Sequence, residues 1–212
     1  MSPPAEPPAY LQPYREALGR FGPGFEATLW QDRDAQRLRF DVALDLVDAT
    51  NCRLADLGCG PGDLLDHLER RSISVAAFLG VDAQPEMIEL AQLDHGDPKA
   101  SFLTIDIVND FDQVIHWKPD ICLFSGTLNT MTERVAWRLV KTAFVHSRVG
   151  VVFNFLSNRP HSRWATKDLR PARRFNTARW VDRCLKETSR VAFRQDYLDG
   201  HDATIAMVKD RG

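Results

Sequence analysis

The sequence predicts an α/β protein built on a mostly parallel sheet with helices on both faces. Three observations predict it. Short apolar runs alternate with segments of helical periodicity over the first 155 residues. The runs are apolar throughout, the pattern of strands buried on both sides. The first run opens into "ADLGCGPGDL", residues 55–64, which sets glycines at 58, 60 and 62 ahead of a helix.

The elements follow in order. Residues 1–9 hold too many prolines for a helix and read as a disordered tail. "LQPYREALGRFGPG" is a short helix stopped by Gly22, Pro23 and Gly24. "DRDAQRLRFDVALDLVD" is amphipathic, with Leu38, Val42 and Leu46 four residues apart and Asp32 or Asp34 as its cap. Strands are expected at 53–57, 76–82, 101–105, 119–124 and 150–155. Helices lie between them: "GDLLDHLERR", then "PEMIELAQL" with Pro85 at its first position, then "TMTERVAWRLVKTAF", where Thr130 and Glu133 have capping-box spacing. Residues 156–176 are irregular and Arg-rich, and "NTARWVDRCLKET" is helical. "RVAFRQDYLDGHDATIAMVK" is a hairpin turning at Asp199-Gly200. Without repeats or a linker, residues 10–212 read as one domain, with N-terminal helices over 10–50 and a basic insertion at 157–176.

At 212 residues, 44% of them hydrophobic, the chain can bury a sizeable core. The net charge of −2 says little about partners, but its distribution is uneven. Asp41–Asp112 holds 15 acidic and 4 basic residues, and Arg134–Arg190 holds 14 basic and 3 acidic. Such asymmetry marks either a charged partner or solvated helix faces. Cys52, Cys59, Cys122 and Cys184 are scattered, with no CxxC pair and no histidine at metal-ligand spacing, so reduced thiols and no metal site are expected. There is no secretory leader pattern, and no apolar stretch approaches the roughly 18 residues of a membrane helix. The expectation is a cytoplasmic protein without a membrane partner, monomeric or homodimeric.

A strand that ends in glycines and leads into a helix builds a ligand site. The helix N-terminus offers free N–H groups, and glycine lets backbone approach a ligand closely. The dinucleotide pattern GxGxxG fits Gly58 and Gly60 but meets Asp63 at its third glycine, where a carboxylate would crowd the helix and repel a pyrophosphate. Asp56-x-Gly58-x-Gly60-x-Gly62 suits a smaller zwitterion with an ammonium to satisfy. This stretch resembles the glycine-rich signature of class I S-adenosylmethionine-dependent methyltransferases. The resemblance continues, in order, through "FLGVDAQPEMIELAQ", "SFLTIDI" and "PDICLFSGTLNTM". It implies a Rossmann-like, doubly wound sheet of seven strands in the order 3-2-1-4-5-7-6, mostly parallel, with the last strand antiparallel.

The resemblance also implies a cofactor, S-adenosylmethionine, leaving as S-adenosylhomocysteine, and assigns roles. Gly58, Cys59, Gly60 and Gly62 form the turn against which the methionine portion lies. Asp56 answers the ammonium. Asp82 accepts from the ribose hydroxyls; its plainer reading is a helix cap. Ala83 and Met87 flank the adenine. Asp106 and the Ile107 backbone read the adenine amino group. Ser125 offers a carbonyl near the cofactor amine. Trp30 and Arg37 are upstream candidates for the cofactor carboxylate, with helix packing the simpler role.

The sulfonium is an activated donor, so the protein has to align the acceptor and exclude water. A general base is needed only if the acceptor loses a proton. His161 and His201 lie in loops over the strand ends and are the candidates, with a surface histidine the plainer reading of each. His67, His95, His116 and His146 lie on helices or at the opposite edge. "SGTLNT" lacks the Asn/Asp-Pro-Pro-aromatic pattern of enzymes that methylate exocyclic base nitrogens. No cysteine stands where pyrimidine C5 enzymes keep a nucleophile, and the paired aspartates of metal-dependent catechol enzymes are missing. "SNRPHSRWATKDLRPARRFN" then reads as a lid over a small acidic acceptor, held by Arg159, Arg163, Arg173 and Arg174 with Asn154 at the strand end. The alternatives are an RNA or protein methyltransferase, and a module that binds the cofactor without catalysis. Sparse aromatics, Trp164 and Phe175, place nucleic acid second.

Overall fold

The computed structural model describes residues 7–210. Six residues of the expected N-terminal tail therefore lie outside the described residues. Helix α1 (Gln12–Phe21) carries Pro13 in its first turn, where the missing N–H costs nothing, and ends where Gly22 turns at φ 75° and bonds back to Leu18. A 3-10 turn (Phe25–Thr28) leads to α2 (Arg33–Leu46), capped by Asp32, whose carboxylate accepts from the Ala35 N–H at 2.7 Å.

The alternating region forms β1 (Arg53–Leu57), α3 (Asp63–Arg70), β2 (Ala77–Asp82), α4 (Pro85–Asp94), β3 (Ala100–Thr104), α5 (Asp112–Trp117), β4 (Ile121–Phe124), α6 (Glu133–His146) and β5 (Gly150–Ser157), all expected except the short helix α5. The single-turn α7 (Ser162–Ala165) and the two-residue β6 (Arg174–Phe175) interrupt the basic insertion. Then come α8 (Thr177–Leu185), β7 (Arg190–Arg194) and β8 (Asp202–Val208). The cap of α6 is Thr132, which accepts from Val135, so Thr130 does not cap it.

The sheet runs β3-β2-β1-β4-β5-β8-β7, with β6 paired to β5. Counted without β6, this is the expected order, and β8 is antiparallel to both β5 and β7. The eighth strand is the correction. Leu156 and Ser157 of β5 pair with Arg174 and Phe175, beyond the point where β4 stops at Phe124. β6 thus clamps the end of the basic insertion to the sheet.

Strand residues alternate between two cores. Leu54, Phe78, Ile121 and Val152 face α2, α3 and α4, while Ala55, Leu79, Cys122 and Phe153 face α6 and α8. Trp180 lies parallel on Phe175, ring centroids 5.2 Å apart, and tilts against Phe155. Burying a side chain of this kind contributes about 1.5–3 kcal/mol. β1 and β4 are parallel neighbours at which the order of strand addition reverses, and the crevice at their carboxyl ends is where open sheets of this type bind ligands.

Candidate active site

The glycine loop is held to β2 by its backbone. The Gly58 and Cys59 N–H groups donate to the Val81 carbonyl at 2.8 and 2.9 Å. Gly58 sits at φ 93°, and a Cβ there would strike Thr127, whose hydroxyl donates to the Leu57 carbonyl at 2.7 Å. The Gly60 N–H donates to Asp82 at 3.0 Å. Gly62 is different: it begins α3, faces His95 and Phe102 behind the loop, and does not line the crevice. Asp63 turns away as well, accepting from Arg33 and Gln36 of α2.

The crevice is a cavity of about 550 Å³. Asp56, Gly58, Cys59, Gly60, Asp82, Ala83, Met87, Asp106, Ile107 and Ser125 all line it. Asp56 is 3% exposed, and no hydrogen bond reaches its carboxylate from the described residues. Burial, then the neighbouring Asp82 and Asp63 carboxylates, push it up to about 8. Burial raises Asp82 too, opposed by N–H donors that include Gln84 at 2.9 Å and Gly60. Asp106 accepts from the Val108 N–H, from Asn109 and from the phenol of Tyr10. Cys59 is buried among carboxylates, and its thiol is pushed up by burial first and then by Asp56 and Asp82.

The other end of the cavity lies beyond Gly126, which turns at φ 75° with its N–H on Asn154 Oδ1 at 2.8 Å. Asn154 also donates to Ser125 Oγ at 3.1 Å; it is buried behind the turn and does not line the cavity. Trp30 packs against Gly126, and the Arg39 guanidinium lies 4.6 Å from the Trp30 ring centre. Arg39 holds buried Asp202 at 2.8 and 2.6 Å. His201, next along the chain, lines the cavity and lies against the Trp164 indole, ring centroids 4.1 Å apart. Burial first pushes its imidazole down to about 4; Asp202 opposes this, and Arg174, Arg39 and Lys167 add to it.

The basic insertion covers this end, but with other residues than expected. Arg159, Arg163, Arg173 and Arg174 do not line the cavity; Lys167 and Arg170 do. Arg163 pairs with Asp199 on the outer surface. The Arg173 backbone N–H bonds to the Asn129 carbonyl while its side chain is exposed. Arg174 is a strut: its guanidinium donates to the Ser157 and Trp164 carbonyls at 2.7 and 2.9 Å and to His201 Nδ1 at 3.1 Å. Arg159 is exposed, its carbonyl held by Gln195. His161 is exposed and caps α7 through the Arg163 N–H. Of the upstream pair, Trp30 lines the cavity, whereas Arg37 does not and pairs with Asp34. The sequence reading missed Tyr10, Tyr14 and Arg39, since nothing local marks a helix residue as the roof of a distant cleft.

Fold and site together define a Rossmann-like α/β domain with a ligand crevice at the carboxyl ends of β1, β2 and β4. Residues 54–149 match the family model described as a methyltransferase domain. The match is to a methyltransferase domain and spans a little under half of the chain. Magnesium protoporphyrin IX methyltransferase (ChlM) from Synechocystis PCC 6803, with bound SAH, is similar at TM-score 0.65 and 15% identity, covering 94% of each chain. A DhpI-SAM-HEP complex is similar at TM-score 0.61 and 19% identity, over 95% of this chain and 96% of that one. The small RNA methyltransferase HEN1 aligns at TM-score 0.67 and 17% identity, over 89% of this chain and 27% of that one. At these identities the likeness is one of fold. The curated proteins contain no match. Among the described residues no helix is long and apolar enough to cross a membrane, and no cluster of side chains could hold a metal ion.

The residues fit the cofactor of this class. Asp56 is a buried carboxylate without a hydrogen-bond partner among the described residues, and at Gly58 the backbone is bared to the cavity where any side chain would clash.

Proposed function

We propose that the chain methylates a small acidic acceptor seated between the glycine loop and the basic insertion, with S-adenosylmethionine as donor. One observation carries the reading: a single cavity runs from the unpartnered Asp56 to Lys167 and Arg170 of the insertion. An anion-pairing group belongs at the first end and a cation-pairing group at the second.

Asp56 would take the cofactor ammonium, Asp82 the ribose hydroxyls, and Asp106 with the Ile107 backbone the adenine amino group. The bound sulfonium supplies an activated methyl group. The chain's own work is to orient the acceptor and keep water out. Trp30, Leu156, Met131 and Trp164 give that end apolar walls, and α1 and the insertion cover it. Lys167, whose ammonium lies 4.2 Å from the Trp164 ring centre, is the cation placed to meet an acidic group.

Calorimetry with S-adenosylhomocysteine tests the cofactor end; absence of binding heat would end the reading. A metabolite extract incubated with methyl-labelled cofactor tests the acceptor end. Labelled products of one added methylene, lost in Lys167→Ala through a higher acceptor KM, are expected.

A further inference from the structure

At the acceptor end, every side chain among the described residues that could take up a proton is engaged or already carries one. Both oxygens of Asp202 are held by Arg39. Asp168 is forked by Arg170, with contacts of 3.0, 3.0 and 2.5 Å, and is held down at about 2 by that partner. The Tyr14 phenol, pushed up to about 12 by burial, keeps its proton. Asp56, Asp82 and Asp106 lie at the cofactor end.

His201 is decided by geometry. The Arg174 guanidinium donates to its Nδ1, so that nitrogen carries the lone pair. A neutral imidazole that accepts at Nδ1 bears its proton on Nε2. The groups around the ring are Arg174, Arg39, Lys167, Asp202 and the Trp164 indole, three cations against one carboxylate already paired to Arg39. Burial and the three cations oppose a second proton on the ring, and Asp202 alone favours it. His201 therefore meets the cavity as a hydrogen-bond donor. With Lys167 beside it, this wall offers donors and no proton sink.

We infer that the methyl acceptor is a carboxylate, methylated as its anion to a methyl ester, and that His201 positions that carboxylate by donation instead of acting as a general base. This rests on the small-acid reading above. A carboxylate is ionised at neutral pH and has no proton to lose. One of its oxygens forms the new O–C bond to the methyl carbon as the S–C bond breaks, the electron pair of that bond stays on sulfur, and no proton moves. An alcohol or an ammonium would have to shed a proton into a wall that cannot take it. A dianionic phosphate would leave charge uncompensated opposite one free ammonium.

The test incubates the full-length protein with methyl-labelled cofactor and a metabolite extract, then treats the labelled product with mild base. A methyl ester releases volatile labelled methanol. Base-stable label, as from an amine, ether or phosphodiester, overturns the inference while the methyltransferase reading stands; no labelled product, with cofactor binding intact, overturns both. A second arm uses His201→Gln, which keeps an N–H donor but cannot act as a base, and His201→Leu, which keeps neither. The expected order is wild type, then Gln, then Leu, with the Leu loss about tenfold and mainly in acceptor KM. Equal collapse of kcat in both variants would restore the general base. Nitrogen-15 correlation spectra of the cofactor-free protein at pH 7 provide a readout apart from turnover. They should place the His201 proton on Nε2, and a proton on Nδ1 would overturn the assignment.

Discussion

The Tyr10 phenol stands 2.9 and 2.7 Å from the two carboxylate oxygens of Asp106, across 96 positions of sequence. Burial, together with that carboxylate, pushes the phenol's pKa up, so Tyr10 is the donor. Asp106 also accepts from the Val108 N–H and the Asn109 amide, which leaves about one of a carboxylate's four lone-pair sites for an incoming N–H. The bond fastens the chain just before α1 to the cavity edge that follows β3, the edge proposed to meet the adenine. α1 itself is covered from below by Met87 and Ala27.

Tyr10→Phe removes this tie and leaves the ring. A hydrogen bond to a charged group contributes about 1.5–3 kcal/mol. The variant should release S-adenosylhomocysteine about tenfold faster in stopped flow, and residues 12–21 should exchange amide protons faster. An unchanged off-rate would mean that α1 does not cover the cofactor.

Asp56 gives the cofactor-free protein a pH signature. An unfolded aspartate titrates near 3.8, the folded one near 8. Between these values the folded chain holds a proton that the unfolded chain lacks, so stability falls as pH rises from about 4 to 8. Asp56→Asn removes that slope. Its melting temperature should exceed wild type at pH 8, with the gap closing toward pH 5; each 1 kcal/mol is about 2–4 °C for a chain of this size. An ammonium needs the ionised carboxylate, so S-adenosylhomocysteine binding at pH 7 should release close to one proton from wild type and none from the variant. Calorimetry in buffers of different ionisation enthalpy reads that number.

These two residues mark what the sequence makes legible. Asp56 lies in an unbroken local pattern of apolar strand, glycine turn and helix, and its place at the sheet's carboxyl edge follows from that pattern alone. Asp82 and Asp106 end later strands of the same kind. Tyr10 belongs to no pattern; only the folded path of α1 brings it over the cleft. The basic insertion misleads for a related reason. Six cations in twenty residues look interchangeable in sequence, but an irregular segment has no repeating backbone bonds to satisfy its carbonyls. Arg174 fills that need from within, Arg163 goes to Asp199 outside, and Lys167 faces inward. α5, at six residues, and β6, at two, are too short to show periodicity.

Asp82 is expected to serve ligand and loop at once. Its carboxylate holds the Gly60 and Gln84 N–H groups before any ribose arrives. Asp82→Ala should weaken S-adenosylhomocysteine binding by about tenfold or more, from one charge-assisted contact of about 1.5–3 kcal/mol. Amide exchange at residues 58–62 should also quicken in the cofactor-free protein. Affinity within twofold of wild type would remove Asp82 from the ribose role.

The Arg39–Asp202 pair joins α2 to β8 beneath the acceptor end. Side-chain exposures of 8% and 1% make it a buried ion pair, and the Arg39 N–H groups left over by Asp202 include one on the Ala35 carbonyl at 2.9 Å. Removing one partner leaves the other charge without compensation, a loss of about 3–5 kcal/mol; replacing both with apolar residues can be close to neutral. Arg39→Met alone and Asp202→Leu alone should each shift the urea midpoint sharply downward, and the double variant should recover most of the loss. The double variant should still impair acceptor turnover, because Asp202 adjoins His201 and Arg39 backs Trp30. Additive losses in stability would mean that the two side chains support the fold separately; full activity in the double variant would mean that the pair shapes nothing at the site.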